Sequence, residues 1–320
     1  MRVVWLREFG GPEVLVVGTA SEPAAGPGQV VVDVEVVGVT FLDTLIRSGA
    51  PGPFSLTPPL IPGNGVGGVV AEIGAGVDPA LLDRAVVASL GGSGGYAERV
   101  AVDAASLVEV PDGVGVDVAT AVLADGRTAS WLLEATKVRP GQRVLVDGAA
   151  GGVGSMLVQL ARAAGARVVA AAGGARKVAL TRDLGAHVAI DYLTGDWPEQ
   201  VRAAVGGLDV VLDGVGGQIG RAGFELLVPG GRLLSYGLTS GAFLAVTDEE
   251  AASRGVTVVR GRPSPQDNRR YLTAALAATG AGSLRPLIGQ RFPLTEAAAA
   301  HAAIGARATV GKTLLDVRSH

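Results

Sequence analysis

Residues 144–155 read VLVDGAAGGVGS, an apolar run closed by an acid, then a cluster of small residues, then the start of a helical pattern. Ala149, Gly151 and Gly154 fall at the spacing G-x-G-x-x-G, with alanine at the first position. A turn of this kind brings backbone N–H groups up to a pyrophosphate, and the helix after it adds unpaired N–H groups and a partial positive charge. Gly151 would permit the close approach and Gly154 the close packing of helix on strand, while alanine at the first position asks for a slightly wider turn. Glycine alone carries little weight in a chain that has 49 of them in 320 residues. The strand–turn–helix context carries the reading, and the expected contact surface is Ala150, Gly151, Gly152, Val153 and Gly154.

The end of the next strand decides which dinucleotide fits. Roughly twenty residues past the glycines, an NAD-binding chain places Asp or Glu on the ribose 2′-hydroxyl. Here 170–177 reads AAAGGARK, with neutral Gly173 and Gly174 at that point and Arg176 and Lys177 just beyond. A neutral floor beside a cation suits a 2′-phosphate, so NADPH is the expected cofactor and Lys177 the expected phosphate contact. Arg176 is read either as a second contact or as a solvated helix residue. Tyr192, after the following strand, is placed to reach the same end.

These residues need a frame to hold them. From 143 onward the expected order is strand 143–147, helix 153–164, strand 167–172, helix 175–184 and strand 187–191. Helix 197–204, strand 208–213, helix 218–227, strand 231–236 and a last strand 255–260 follow. Continuous apolar strands alternating with helices predict a doubly wound parallel sheet, the fold class α/β. Residues 1 to about 120 differ, with short β-branched runs at 29–39, 68–77, 83–90 and 96–102 between Gly/Pro turns. That spacing predicts a mostly-β, barrel-like module. One helix interrupts it at 40–49, opened by the capping pattern Thr40-x-x-Asp43 and closed by glycine. A helix at 266–280 precedes two more short strands. The expected domains are therefore 1–121, completed by 284–320, and 122–283.

Composition removes several function classes. The net charge of −3 gives no electrostatic footprint for nucleic acid or an anionic membrane. With no cysteine and only His187, His301 and His320 scattered along the chain, no metal site is expected. The N-terminus lacks an apolar signal core and no run of about 20 apolar residues occurs, so a soluble, cytoplasmic chain is expected.

The order of features resembles the medium-chain dehydrogenase/reductase superfamily, and within it the zinc-independent, zeta-crystallin-like quinone oxidoreductases. The matching segments include GVTFLDTLIRSG, GGYAERVAV, DGAAGGVGSMLVQLARAAGARV, LGAHVAIDY, LDVVLDGVGG, LLVPGGRLLSYG and GARATVGKTLLDV. The resemblance implies a GroES-like substrate domain and a Rossmann NADP-binding domain. It places Thr128 among the groups holding the cofactor phosphates, and Gly173, Lys177, Tyr192 and Arg307 around the 2′-phosphate. Val215, Gly216 and Gly237 are placed along the nicotinamide.

It also implies hydride transfer to a quinone or an α,β-unsaturated carbonyl. An enoyl-thioester reductase and a non-catalytic NADPH-binding protein remain as alternatives. Three departures lie on the substrate side. Thr40 stands where the family has Asn, Gly65 where it has Glu, and APGPFSL (50–56) where it has a tyrosine-bearing segment. Thr40 and Asn64 are the candidate hydrogen-bond donors to the substrate, although Thr40 also reads as a helix cap and Asn64 as a loop residue. A homodimer through the strand GVTVVRG (255–261) is expected, because an apolar edge strand invites pairing.

Overall fold

The computed structural model describes residues 1–51 and 54–318. The chain divides into two compact units, Met1–Gly126 with Leu272–His320, and Arg127–Tyr271. Both changes of unit fall within helices, Val116–Ala135 and Pro265–Gly280, with no loop to mark them. The sequence reading puts the divisions at 121/122 and 283/284.

The unit 127–271 is built on a six-stranded sheet in which every pairing is parallel. Its spatial order is Val188–Asp191, Arg167–Ala172, Arg143–Asp147, Leu208–Asp213, Leu227–Ser235, Thr257–Val258. Counted along the chain this is 3-2-1-4-5-6, the order of dinucleotide-binding sheets, with the reversal between 143–147 and 208–213. The middles of the strands are apolar on both faces, as in a sheet covered by helices on both sides. Val144, Leu145, Val146, Val210, Val211 and Leu212 are all fully buried. Strands 167–172 and 208–213 have the bounds that the sequence implies. The last strand does not. Only Thr257 and Val258 pair, followed by one bond from Val259 N–H to the Leu233 carbonyl, and Gly261 then turns the chain at φ 138. The short helix Asp248–Ser253 before it, capped by the Thr247 hydroxyl accepting from Glu250 N–H, carries no sequence period strong enough to foresee.

The other unit centres on the strand Gln29–Val39, which pairs antiparallel with Gly65–Ile73, Arg99–Asp103 and Lys312–Asp316. Through Lys312–Asp316 the C-terminal segment enters the N-terminal sheet, with Thr313 opposite Val39 and Leu315 opposite Val37. Val30, Val32, Val34 and Val37 form the middle of its core, with Val66, Val86 and Leu315. The helix Ala297–Gly305 packs on this core through Ala297 and Ala300. Its alanine run has high helix propensity but no apolar period, so periodicity misses it.

Gly68 marks a tight point of the sheet. A Cβ there would collide with the Asp33 carbonyl oxygen and lie 3.0 Å from Val34 Cα, both rigid backbone. Gly68→Ala is expected to lower stability by about 1–3 kcal/mol, seen as a lower thermal midpoint. An unchanged midpoint would show that the two strands can separate without cost.

Candidate active site

In the unit 127–271, every expected cofactor residue sits at the carboxyl ends of the parallel strands, apart from Thr128. The first turn follows Asp147. Gly148 takes φ 58, so the tight reversal is made one residue before the expected position. Ala149 is therefore free to be a buried alanine, its N–H bonded to the Ala171 carbonyl at 3.1 Å. The turn closes through Gly151 N–H to Gly148 O, 2.9 Å. Gly151 caps the helix Gly152–Ala163 with extended backbone, φ −83 and ψ −179. The leading N–H groups of a helix have no intrahelical partner, and they face the same edge as the strand end.

Gly154 is essential to this geometry. A Cβ there would collide with the Gly148 carbonyl and reach 2.8 Å from Ala149 Cα. A Cβ on Gly151 would meet only Gly148 O, at 3.2 Å, because that residue faces outward. Ala150 is buried, while Gly152 and Val153 are half-buried at the helix start.

The second turn gathers Gly173, Lys177 and Tyr192. Strand Val188–Asp191 pairs with Arg167–Ala172 so that Asp191 lies opposite Ala172, and Tyr192 N–H bonds to the Ala172 carbonyl at 3.1 Å. The Tyr192 ring lies over Gly173, where a Cβ would come within 3.0 Å of Cε2 and 3.2 Å of the phenol oxygen. Gly174, at φ 91, caps the helix Ala175–Asp183, which places half-buried Lys177 in its first turn and leaves Arg176 exposed. Sequence reasoning missed Asp191. Its Oδ1 accepts from Gly174 N–H at 2.9 Å and Leu193 N–H at 3.0 Å, which ties the carboxylate to the backbone of the turn.

The third turn follows Asp213. Val215 is buried, and its Cγ2 lies 3.4 Å from where a Gly148 Cβ would be, so the first and third turns abut. Gly216 takes φ 72. At Gly237 a Cβ would collide with the Gly214 carbonyl, which makes that residue's close approach obligatory. Asp147 and Asp213, both fully buried, accept hydrogen bonds from the N–H groups of this turn. Neither was singled out in the sequence, where each reads only as the last letter of an apolar strand. Thr128 is half-buried on the long helix Val116–Ala135.

Thr40, Asn64 and Arg307 belong to the other unit. Thr40 caps the helix Phe41–Ser48, and its N–H and Oγ1 both donate to Asp43 Oδ2 at 2.7 Å. Asp43 is almost fully buried, and that burial raises its pKa against the lowering effect of the two Thr40 bonds and of Lys312. Asn64 accepts from Gly92 N–H through Oδ1 at 2.8 Å and from Leu90 N–H through its carbonyl at 2.7 Å. Its loop role is therefore built in, and Nδ2 is the end left to donate. Arg307 is exposed and holds φ 55 just after the helix Ala297–Gly305. In the 50–56 segment, Gly52 and Pro53 lie outside the described residues, as does His320.

His301 is buried and its Nε2 lies 2.7 Å from the Tyr96 hydroxyl. Burial, helped by Arg47, holds its pKa down to about 3, so the neutral ring accepts from the phenol. Burial likewise pushes Tyr96 well up, with Asp43 adding to it. Neither group exchanges protons near neutral pH. They form part of the core. Among the described residues, no three His, Cys, Asp or Glu side chains stand together as metal ligands.

Two family models match the chain. The alcohol dehydrogenase GroES-like domain covers residues 26–112 and the zinc-binding dehydrogenase model covers 152–271. The chain has no cysteine, and among the described residues the zinc of the latter description finds no group of three His, Asp or Glu side chains. The chain is 35% identical to a 2-haloacrylate reductase from a Burkholderia species, over 97% of each. It is 34% identical to a quinone oxidoreductase of Salmonella typhimurium, over 96% of this chain and 97% of the relative. Among solved structures, the quinone oxidoreductase of Escherichia coli in complex with NADPH superposes with a TM-score of 0.90 at 29% identity, covering 99% of this chain and 100% of that one. A 2-haloacrylate reductase structure superposes with a TM-score of 0.84 at 31% identity, with both chains fully covered. With the turns, the sheet order and these likenesses together, the chain belongs to the zinc-independent quinone oxidoreductases of the medium-chain dehydrogenase/reductase family.

Proposed function

We propose that this protein is an NADPH-dependent, zinc-independent oxidoreductase that reduces a quinone or an α,β-unsaturated carbonyl. The observation that carries the reading is the row of three glycine-lined turns at the strand ends, centred on the point where the sheet order reverses. Ligands of open α/β sheets bind at that point. The relatives support the acceptor class, since a quinone and a 2-haloacrylate each carry a carbon–carbon double bond conjugated to a carbonyl.

When bound, NADPH supplies the hydride. The helix start at Gly151–Gly154 receives the pyrophosphate, with Thr128 as a further phosphate contact. Gly173 admits the Tyr192 ring at the 2′-phosphate end, and Lys177 provides the countercharge. Val215, Gly216 and Gly237 give a close backbone surface for the nicotinamide. Negative charge that develops on the acceptor's oxygen is met by hydrogen bonds rather than by a metal. Thr40 Oγ1 and Asn64 Nδ2 are the candidate donors. Thr40 gives its proton to Asp43 in this structure, so its donation to a substrate requires the hydroxyl to rotate away.

We also propose a homodimer through the edge strand Thr257–Val258. Val259 N–H points inward to Leu233 O, so by alternation Val258 N–H points outward from the sheet. Beside it lies a cavity of about 280 Å³ lined by Trp131, Leu233, Leu244 and Val258, with Phe243 60% exposed at its rim. A second copy of the edge would satisfy the outward N–H and cover this apolar surface.

Three measurements test these readings. NADPH oxidation with a panel of quinones, enones, 2-haloacrylates and enoyl thioesters should show turnover on one of the first three classes, unchanged by chelators. Preference for thioesters would select the alternative reductase, and no turnover on any class would leave a binding protein. Lys177→Ala should weaken NADPH binding by about one to two decades, since a charge-assisted contact contributes roughly 1.5–3 kcal/mol, and leave NADH nearly unaffected. Equal losses for both would displace Lys177 from the 2′-phosphate. Val258→Pro should shift the chain toward monomer in light scattering while sparing cofactor binding, and a monomeric unmodified chain would refute the dimer.

A further inference from the structure

Two aspartates end neighbouring parallel strands. The register Val144↔Val210 to Val146↔Leu212 continues to place Asp147 beside Asp213. Both side chains are completely buried. Like charges opposed across strands are destabilising, and removing both from water makes the opposition far more costly.

The donors around them are unequal. Asp213 Oδ1 accepts from Gly216 N–H at 2.7 Å and Val215 N–H at 3.1 Å, and its Oδ2 accepts from Ser235 Oγ at 2.6 Å. Both oxygens are served, as a carboxylate requires. Asp147 Oδ1 accepts from Gly214 N–H at 2.7 Å and from the same Val215 N–H at 3.0 Å. Asp147 Oδ2 is buried and meets no donor among the described residues. An ionised Asp147 would leave that oxygen bare. A protonated one turns it into a donor, with the Asp213 carboxylate as the acceptor beside it.

The neighbouring residues that pack against the pair bring no countercharge. Ala171 lies opposite Asp147 on the far neighbouring strand, and the helix Gly152–Ala163 begins with Gly, Val and Gly. Gly220 of the helix Gly217–Glu225 lies over Asp213, where a Cβ would come within 2.7 Å of the carboxylate. Beyond the strand Leu227–Ser235 the Tyr236 phenol rests against Gly214. Of these neighbours only Tyr236 is titratable, beside Asp147 and Asp213 themselves. Burial, then the Asp213 charge, push the Asp147 pKa well above the usual carboxylate range, against the two N–H bonds.

We propose that Asp147 holds a proton on Oδ2 and shares it with Asp213, and that this proton keeps the Gly214–Gly216 turn in place at the nicotinamide end of the cofactor site. Asp147 is thereby a positioning residue, and the grip on NADPH is coupled to pH. The coupling rests on the cofactor reading above. Loss of the proton to solvent leaves two buried carboxylates repelling each other with Asp147 Oδ2 bare, and the turn that both acids hold gives way. The sign follows from linkage: a folded-state pKa raised above the unfolded value favours the fold below the ordinary carboxyl pKa. That contribution is lost as pH rises through the raised one.

The test compares the unmodified chain with Asp147→Asn. Asparagine keeps an oxygen for Gly214 and Val215 N–H and puts a permanent donor toward Asp213. NADPH affinity, read by cofactor fluorescence from pH about 6 to about 10, should fall at least about fivefold more in the unmodified chain than in D147N. Without cofactor, the thermal midpoint of the unmodified chain should drop progressively below that of D147N over the same range. Asp213→Asn, which removes the other charge, should give the same flattened profiles and serves if D147N does not fold. Parallel pH profiles in the unmodified chain and the asparagine variants would overturn the shared proton. A pH-dependent gap in thermal midpoints with coincident NADPH profiles would overturn the positioning role. Failure of every form to bind NADPH at any pH would instead refute the cofactor reading.

Discussion

The approach of Gly154 to the Gly148 carbonyl is the constraint on which the nucleotide-facing edge depends. Because no side chain intervenes, the helix Gly152–Ala163 starts directly above the end of the strand Arg143–Asp147. That closeness aims the helix's unpaired N–H groups along the strand ends and brings the Gly148 turn against Val215 of the next turn. A methyl group at Gly154 would push the helix off the strand and open this contact. The neighbouring glycines do related work on a smaller scale: Gly173 admits the Tyr192 ring, and Gly237 admits the Gly214 carbonyl.

Buried ionisable groups serve different ends in the two units. In the unit with the antiparallel sheet, Tyr96 and His301 satisfy each other, and burial keeps both neutral. Lys312, 2% exposed, pairs with Asp125 at 3.3 Å and acts on Asp43, so the cap of the Phe41–Ser48 helix is linked to the C-terminal strand. Of these groups Asp43 holds Thr40, through the bonds from its N–H and Oγ1. In the parallel-sheet unit, Asp147 and Asp213 turn two strand ends into an anchor for backbone N–H groups. A buried acid pair is a costly way to hold a turn unless the turn's geometry matters.

Much of this was legible because the physics is local. Strands 167–172 and 208–213 are buried on both faces, so each reads as an unbroken apolar run with sharp ends. The glycine turn and the Thr40 cap announce themselves by residue type and spacing. The strand at 255–260 was overread, since the apolar run continues past the point where Gly261 turns the chain. The helix Ala297–Gly305 was missed because alanine carries propensity without a period. Asp147, Asp191 and Asp213 were missed for another reason. Each is a single acid whose partner lies on another strand or turn, and only the register brings them together. Gly148 was passed over in favour of Ala149, because a fixed spacing hides which residue takes the positive φ.

The central claim is that NADPH passes a hydride directly to a conjugated acceptor with no metal and no protein-bound intermediate. The most direct measurement uses NADPH carrying deuterium at the reactive C4 position, with an enone or acrylate substrate in ordinary water, and reads the product by mass spectrometry. The account predicts one deuterium in the reduced product, on the carbon β to the carbonyl, and a solvent proton on the α-carbon. A product that carries only solvent hydrogen would contradict it.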